Sequence, residues 1–191
     1  RWDWEAVYGD PLSEPGKTNV KYGGFIDGVD EFDPLFFGIS PREAETMDPQ
    51  QRLLMSHVWK ALEDAGYAAG SLAGSRTAIF AGMGGSEYSV ILSKAGVEMD
   101  GYAMTGMVPS VGPNRLSYLF NFHGPSEPIE TACSSSLVAI HRALQILNEG
   151  ECELAIAGGV NTLLTPDNFV GFSNAGMLSE DGRCKTFSEA A

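Results

Sequence analysis

Histidine is scarce in this chain. His57, His123 and His141 are the only three in 191 residues, so any imidazole acid or base within it must be one of them. Cysteine is as scarce: Cys133, Cys152 and Cys184 are odd in number and show no C-x-x-C spacing. That pattern argues against a zinc site and a disulfide framework, and a reducing, cytoplasmic setting is expected. Basic residues are few, 12 Lys and Arg against 25 Asp and Glu, for a net charge of −13. So acidic a chain is a poor partner for nucleic acid or an anionic membrane. No apolar run is long enough to span a bilayer, and no stretch reads as a signal peptide. Internal repeats and low-complexity tracts are also missing; the most linker-like stretch is 9–19. The hydrophobic content of 43% is enough for a core and argues against disorder.

What is present alternates between helix and strand. Asp48 is an N-cap with Pro49 at the first helical position and Gln51 two further on. The helix it starts carries Leu54, Val58, Leu62 and Ala65 inward and stops at Gly66. Residues 77–81 read as a short apolar strand, 87–94 as a helix ending near Gly96, and 108–120 as a helix despite Pro109 and Pro113. Strand 128–131, helix 134–148 closed by Gly150, and strand 154–158 follow within about thirty residues. That is a βαβ unit, which implies a parallel sheet with a right-handed crossover. The apolar run 154–157 suits a strand buried on both faces.

Cys133 stands at the strand–helix junction of this unit. The helix after it repeats Leu137, Ile140, Leu144 and Leu147 on one face. Unpaired backbone N–H groups and the positive end of the helix dipole point at such a junction, and that field favours thiolate, the nucleophilic form. The sulfur would then sit at the tip of a rigid turn, at the carboxyl end of a central strand, where open α/β sheets place their sites. A small buried cysteine in a βα turn fits the same spacing, so both readings stand.

Other features have plainer readings. Ser134, Ser135 and Ser136 fit as hydroxyls that satisfy free N–H groups in the first helical turn. The glycines of 82–86 lie between strand and helix but lack phosphate-loop spacing and its lysine, so a tight turn is expected. His141 lies eight residues past Cys133, roughly 12 Å along the helix and out of hydrogen-bond reach. His57 falls between core positions of another helix, and His123 sits in the turn before Gly124. All three read as structural. The 102–107 stretch is apolar and flexible in character, with Met104 and Met107 as core filling. Glu130 reads as a member of a structural ion pair.

Several blocks, in order, carry a resemblance. Phe32-Asp33 and Phe36-Phe37-Gly38-Ile39-Ser40-Pro41-Arg42-Glu43-Ala44 come first. Asp48-Pro49-Gln50-Gln51-Arg52-Leu53-Leu54 and Ala61-Leu62-Glu63-Asp64-Ala65-Gly66-Tyr67 follow. Thr131-Ala132-Cys133-Ser134-Ser135-Ser136-Leu137-Val138-Ala139 lies between Gly124-Pro125-Ser126 and Ala157-Gly158-Gly159-Val160-Asn161. Ser179-Glu180-Asp181-Gly182-Arg183-Cys184-Lys185-Thr186-Phe187 closes the series. Together they resemble the β-ketoacyl synthases, most closely the ketosynthase domains of modular polyketide synthases. The wording before Cys133 looks like the subgroup served by a free-standing acyltransferase.

The resemblance implies a thiolase-like layered αβαβα fold, of which this chain is the first half of the duplicated unit. Residues 1–191 then form the N-terminal half of a ketosynthase domain, with a leading segment 1–46 and a thiolase-like core 47–191. Cys133 would be the acylated nucleophile of polyketide chain elongation, followed by decarboxylative Claisen condensation with a malonyl-type unit on acyl carrier protein. Met104, Thr105, Met107 and Phe172 match positions that line the acyl tunnel or cross the dimer interface, and the strand before Cys133 lies at that interface. No cofactor is implied as bound; substrates arrive on phosphopantetheine. Implied partners are acyl carrier protein, a second copy in a homodimer and the remaining synthase domains. A carrier, itself acidic, needs a locally basic patch, for which Arg42, Arg52 and Lys60 are candidates. The family's His-Gly-Thr-Gly-Thr and Lys-Ser-Asn-Ile-Gly-His motifs do not occur in these residues. Two alternatives therefore stay open: a ketosynthase-like module that binds and passes on acyl chains without condensing them, and an inactive structural fragment.

Overall fold

A computed structural model describes residues 2–189. By contacts it divides into two compact units, Gly28–Thr162 and, apart from it, the two terminal segments on either side.

The larger unit is built on a three-stranded parallel sheet. Its strands are β1 (Thr77–Gly82), β2 (Ser126–Ile129) and β3 (Leu154–Gly159), in the order β2-β1-β3. β1 is central and buried at every position, as a parallel strand covered on both faces must be. Its side chains alternate between two cores. Ile79 and Ala81 face one core with Leu54, Met55, Val58, Leu62, Leu116 and Phe120, from α2 (Pro49–Asp64) and α5 (Val111–Phe120). Ala78 and Phe80 face the other, with Ala139, Ala143 and Ile146 of α6 (Ser135–Asn148). Phe80 is 1% exposed, and burial of a side chain that size stabilises by about 1.5–3 kcal/mol. The unit is thus a helix–sheet–helix sandwich. Short helices α1 (Pro41–Thr46), α3 (Tyr88–Lys94) and α4 (Gly101–Met107) complete it.

The expected punctuation of α2 is present. Asp48 caps it by accepting from the Gln50 N–H, Pro49 opens it, and Gly66 ends it at φ +81°. Ala65 is exposed rather than inward, because it already lies at the C-cap. The helix expected over 108–120 starts only at Val111, and the 102–107 stretch, expected to be flexible in character, belongs to the helix α4. Asp100 explains α4: its carboxylate accepts from the N–H groups of Tyr102 and Ala103.

Three expectations about the sheet need correction. The strand expected at 128–131 runs from Ser126 to Ile129, because β1 ends at Gly82 and the ladder ends with it, at Gly82 opposite Ile129. This strand is an edge, not central, and so tolerates Pro128, which has no N–H to give. β3 is also an edge and only half-buried. The helix α6 presents the opposite face from the one expected. Leu137, Ile140 and Leu144 are 72%, 46% and 56% exposed, while Ala139, Ala143 and Ile146 face the sheet. Small residues face inward because the helix lies close against glycine- and alanine-rich strands.

The smaller unit, taken by itself, contains a one-turn 3-10 helix (Glu5–Val7) and α7 (Asp167–Asn174). A buried hydroxyl pair, Thr18 Oγ1 to Ser173 Oγ at 2.6 Å, ties its two segments together, and Asn19 donates to Glu180 at 3.0 Å. The Trp2 ring packs on Phe25 and Phe169. The 179–185 loop closes on the Asp181 carboxylate, which accepts from the Ser179 hydroxyl at 2.6 Å, from Lys185 at 2.9 Å and from the Arg183 N–H at 3.1 Å. These donors, the Ser179 hydroxyl foremost, lower its pKa from 3.8 to about 2. A depressed carboxylate pKa supports the loop above the unfolded value and ceases to as pH falls through the folded one. In an NMR titration the Asp181 carboxyl should therefore change state near pH 2, with loosening of the 179–185 loop between about pH 4 and pH 2. A midpoint at the ordinary 3.8 would mean that the bracket is not formed.

Candidate active site

The site is built where β1 and β3 end. Gly82 and Gly159 are paired at the carboxyl ends of these strands, and the first turn of α6 rests directly on them. A Cβ on Gly82 would lie 2.9 Å from the Ser136 nitrogen and 3.0 Å from the Ser135 carbonyl carbon. A Cβ on Gly159 would collide with Ser136 Oγ. The tight turn expected of the 82–86 glycines is therefore not their role. Gly82, Gly84 and Gly85 are absent from the positive-φ positions, and Gly82 serves the close approach of helix to strand instead.

Between β2 and α6 the chain makes a sharp elbow. Ala132 holds φ +54°, a left-handed conformation that costs a residue with a Cβ about 1–2 kcal/mol. Hydrogen bonds on both sides hold it there. Glu130 Oε1 accepts from the Ala132 N–H at 2.9 Å, and Ser135 Oγ accepts from the Thr131 N–H at 2.9 Å while donating to the Ala132 carbonyl at 2.7 Å. Ser134 Oγ donates to Thr131 O at 2.8 Å. The serine hydroxyls thus brace the elbow rather than cap the helix; Ser134, at the N-cap, makes no side-chain capping bond. Glu130 enters no ion pair among the described residues and instead takes a backbone hydrogen.

Cys133 follows Ala132 immediately and is exposed, one residue outside the N-cap of a fourteen-residue helix. Cys184 is also exposed, in the smaller unit. Cys152 is buried, and burial pushes its thiol pKa up. No histidine comes to Cys133. His57 and His141 are exposed on α2 and α6. His123 bonds Asn121 at the amino end of β2, the far side of the sheet from the elbow. Among the described residues no cluster of three His, Cys, Asp or Glu could hold a metal ion, and no helix is long and apolar enough to cross a membrane.

Met104, Thr105 and Met107 share α4. Met104 is 54% exposed, Thr105 is exposed with its hydroxyl turned back to the Gly101 and Tyr102 carbonyls, and Met107 is half-buried. Phe172 is exposed on α7, in the other unit. Of the basic candidates, Arg42 pairs with Asp100 at 3.0 Å, Arg52 lies over the Tyr88 ring, and Lys60 is exposed.

A buried polar cluster at the start of α2 was not foreseen. Asp48, Gln50 and Gln51 are 3%, 1% and 1% exposed. Gln50 Nε2 donates to Gly84 O at 3.0 Å, and Ser86 Oγ donates to Asp48. Gln51 Nε2 donates to the Thr105 and Val108 carbonyls at 3.2 Å each, while its Oε1 accepts from Arg115. Arg115 also pairs with Glu43 at 2.6 Å. Two adjacent glutamines inside a helix that is otherwise apolar inward were the available signal.

The family model "Beta-ketoacyl synthase, N-terminal domain" matches residues 1–191. Polyketide synthase PksN of Bacillus subtilis is 60% identical over 191 residues, all of this chain and 4% of that protein. Polyketide synthase GfsB of Streptomyces halstedii is 49% identical over 190 residues, or 3% of its length. Among solved structures, the oxazolomycin ketosynthase domain OzmH KS7 of Streptomyces albus superposes with a TM-score of 0.87 at 41% identity, over 99% of this chain and 32% of its own. The ketosynthase from module 6 of the bacillaene synthase of Bacillus subtilis gives 0.84 at 40% identity, over 100% and 30%. The chain therefore spans about a third of the solved ketosynthases and a few per cent of the curated relatives.

The glycine platform makes a direct prediction. Gly82→Ala should cost about 1–3 kcal/mol, because the atoms in its way are backbone. Gly158→Ala, which has open space around its Cβ, should stay within about 0.5 kcal/mol. Chemical denaturation of the two variants checks this; equal effects would mean that α6 does not rest on Gly82.

Proposed function

The chain belongs to the β-ketoacyl synthase family, and on that premise we propose that it carries the nucleophile of a polyketide chain-elongating ketosynthase. Cys133 is that nucleophile. The observation behind this is its placement: exposed, at the tip of a braced elbow, against the N-terminus of α6.

Its thiolate attacks the carbonyl carbon of an acyl thioester on the phosphopantetheine arm of a carrier protein. The new C–S bond forms as the carrier sulfur leaves and takes up a proton. A malonyl-type unit on a second carrier then loses CO₂, and its enolate carbon attacks the Cys133 thioester. The Cys133 sulfur leaves as thiolate, and the chain has grown by two carbons. The Cys133 backbone N–H serves as one donor to the oxyanion. Proton handling during decarboxylation falls to groups outside these residues, because none of the three histidines reaches the elbow. We place the synthase in the kind served by a free-standing acyltransferase, acting as a homodimer with carrier protein and the other synthase domains as partners. Met104, Thr105, Met107 and Phe172 are assigned to the acyl path and the dimer contact. The exposed Leu137, Ile140 and Leu144 stripe of α6 is where the second half of the thiolase-like fold would pack.

Acyl transfer without condensation is the second reading, since Cys133 alone supports that step. One assay separates the two. The full-length protein is given an acyl thioester and a malonyl-loaded carrier, and adduct and β-keto product are followed by mass spectrometry. Adduct and product both lost in Cys133→Ala and both kept in Cys184→Ala is the expected result. Adduct without product in the unmodified protein would favour the transfer-only reading, and product from Cys133→Ala would remove Cys133 from the chemistry.

A further inference from the structure

We infer that Gln50 is a positioning residue for Cys133, acting through the glycine loop rather than by touching the substrate. The inference rests on Cys133 being the acylated residue, and it assigns a task to a buried side chain that the proposed reaction leaves unused.

A glutamine that is 1% exposed on a core-facing helix is costly unless its amide is satisfied. The amide of Gln50 is spent on one structure. Its nitrogen donates to Gly84 O at 3.0 Å and, at 3.4 Å, to the Asp48 carboxylate, which Ser86 of the same loop also engages. The loop carrying Gly84 is thus fastened at two points to the start of α2. Gly84 in turn faces Glu130 across a space too narrow for a side chain: a Cβ there would come within 3.1 Å of Glu130 Cγ. Glu130 holds the Ala132 N–H, and with it the left-handed residue that aims Cys133. The path therefore runs by a hydrogen bond from the Gln50 amide to Gly84, across the narrow space between Gly84 and Glu130, by a hydrogen bond from the Ala132 N–H to Glu130, and along the backbone to Cys133.

Gln51 connects the same helix end to the opposite side. Its nitrogen holds the Thr105 and Val108 carbonyls at the end of α4, and the Asp48 N–H donates to Gly106 O at 2.9 Å. The first turn of α2 is therefore a strut between the elbow and the helix assigned above to the acyl path. Gly84 and the end of α4 are thus tied to adjacent residues of one helical turn.

The test uses the full-length protein with two variants. Gln50→Glu keeps the side-chain shape and loses the donor; Gln50→Met keeps the length and loses the amide. Acylation of Cys133 from an acyl thioester is followed by mass spectrometry over a range of thioester concentrations. Alkylation of buried Cys152 reports whether the core has opened. The expected result is a maximal acylation rate lower by on the order of tenfold to a hundredfold in both variants. The half-saturating thioester concentration should be unchanged and Cys152 still protected. Unchanged rates in both variants, with Cys133 acylated, would overturn the inference. So would a slowing that comes only with exposure of Cys152, since that is loss of packing. If the unmodified protein were acylated elsewhere than at Cys133, the functional reading itself would fall, an outcome visible before any variant is made.

Discussion

The close approach of one helix end to two strand ends is the constraint on which the rest depends. The first turn of α6 lies on Gly82 and Gly159 with no room for a Cβ at either. That contact fixes where α6 begins, and hence where the elbow between β2 and α6 must turn. Within that elbow Ala132 takes a left-handed conformation that glycine would normally occupy. Hydrogen bonds from Glu130, Ser134 and Ser135 hold it against a cost of about 1–2 kcal/mol. Strain at one residue is thereby exchanged for a defined placement of the next, Cys133, the proposed nucleophile.

Support for this arrangement comes from both cores. β1 delivers Ile79 and Ala81 to one side and Ala78 and Phe80 to the other, so its glycine end is clamped between α2 with α5 and α6. Behind the glycine loop the core turns polar, with Asp48, Gln50 and Gln51 buried, Gln50 bonded to Asp48 and the Gln51 side chain to Thr105, Val108 and Arg115. A polar network in such a place stabilises less than an apolar one of the same volume, but it fixes geometry, because each group left unpaired would cost about 1–3 kcal/mol.

Much of this was legible in the residues. The start and stop of α2 followed from Asp48, Pro49 and Gly66, and its buried positions Leu54, Val58 and Leu62 from their spacing. The parallel α/β class followed from strand, helix and strand within a short stretch, and the thiolase-like family from motif blocks in order. The β2 boundary was not legible, since it depends on where its partner β1 ends. The packed face of α6 was not legible either. That helix is apolar on two sides, and periodicity alone does not say which side meets the sheet; Ala139 and Ala143 were chosen by the glycine-rich strands they meet. The α4 helix was masked by its two glycines, and Asp100 is the one N-cap signal that marks it. The left-handed Ala132 had no glycine to mark it. At the site, the cysteine was legible and its bracing was not, because Glu130, Gly84 and Gln50 come together only through tertiary contact.

The most direct measurement is limited alkylation of the full-length, unmodified protein with iodoacetamide, followed by peptide mapping of the three cysteines. An elbow that presents a nucleophile should have Cys133 modified first, ahead of Cys184, which is also exposed, with buried Cys152 protected. Modification of Cys184 ahead of Cys133 would contradict that claim.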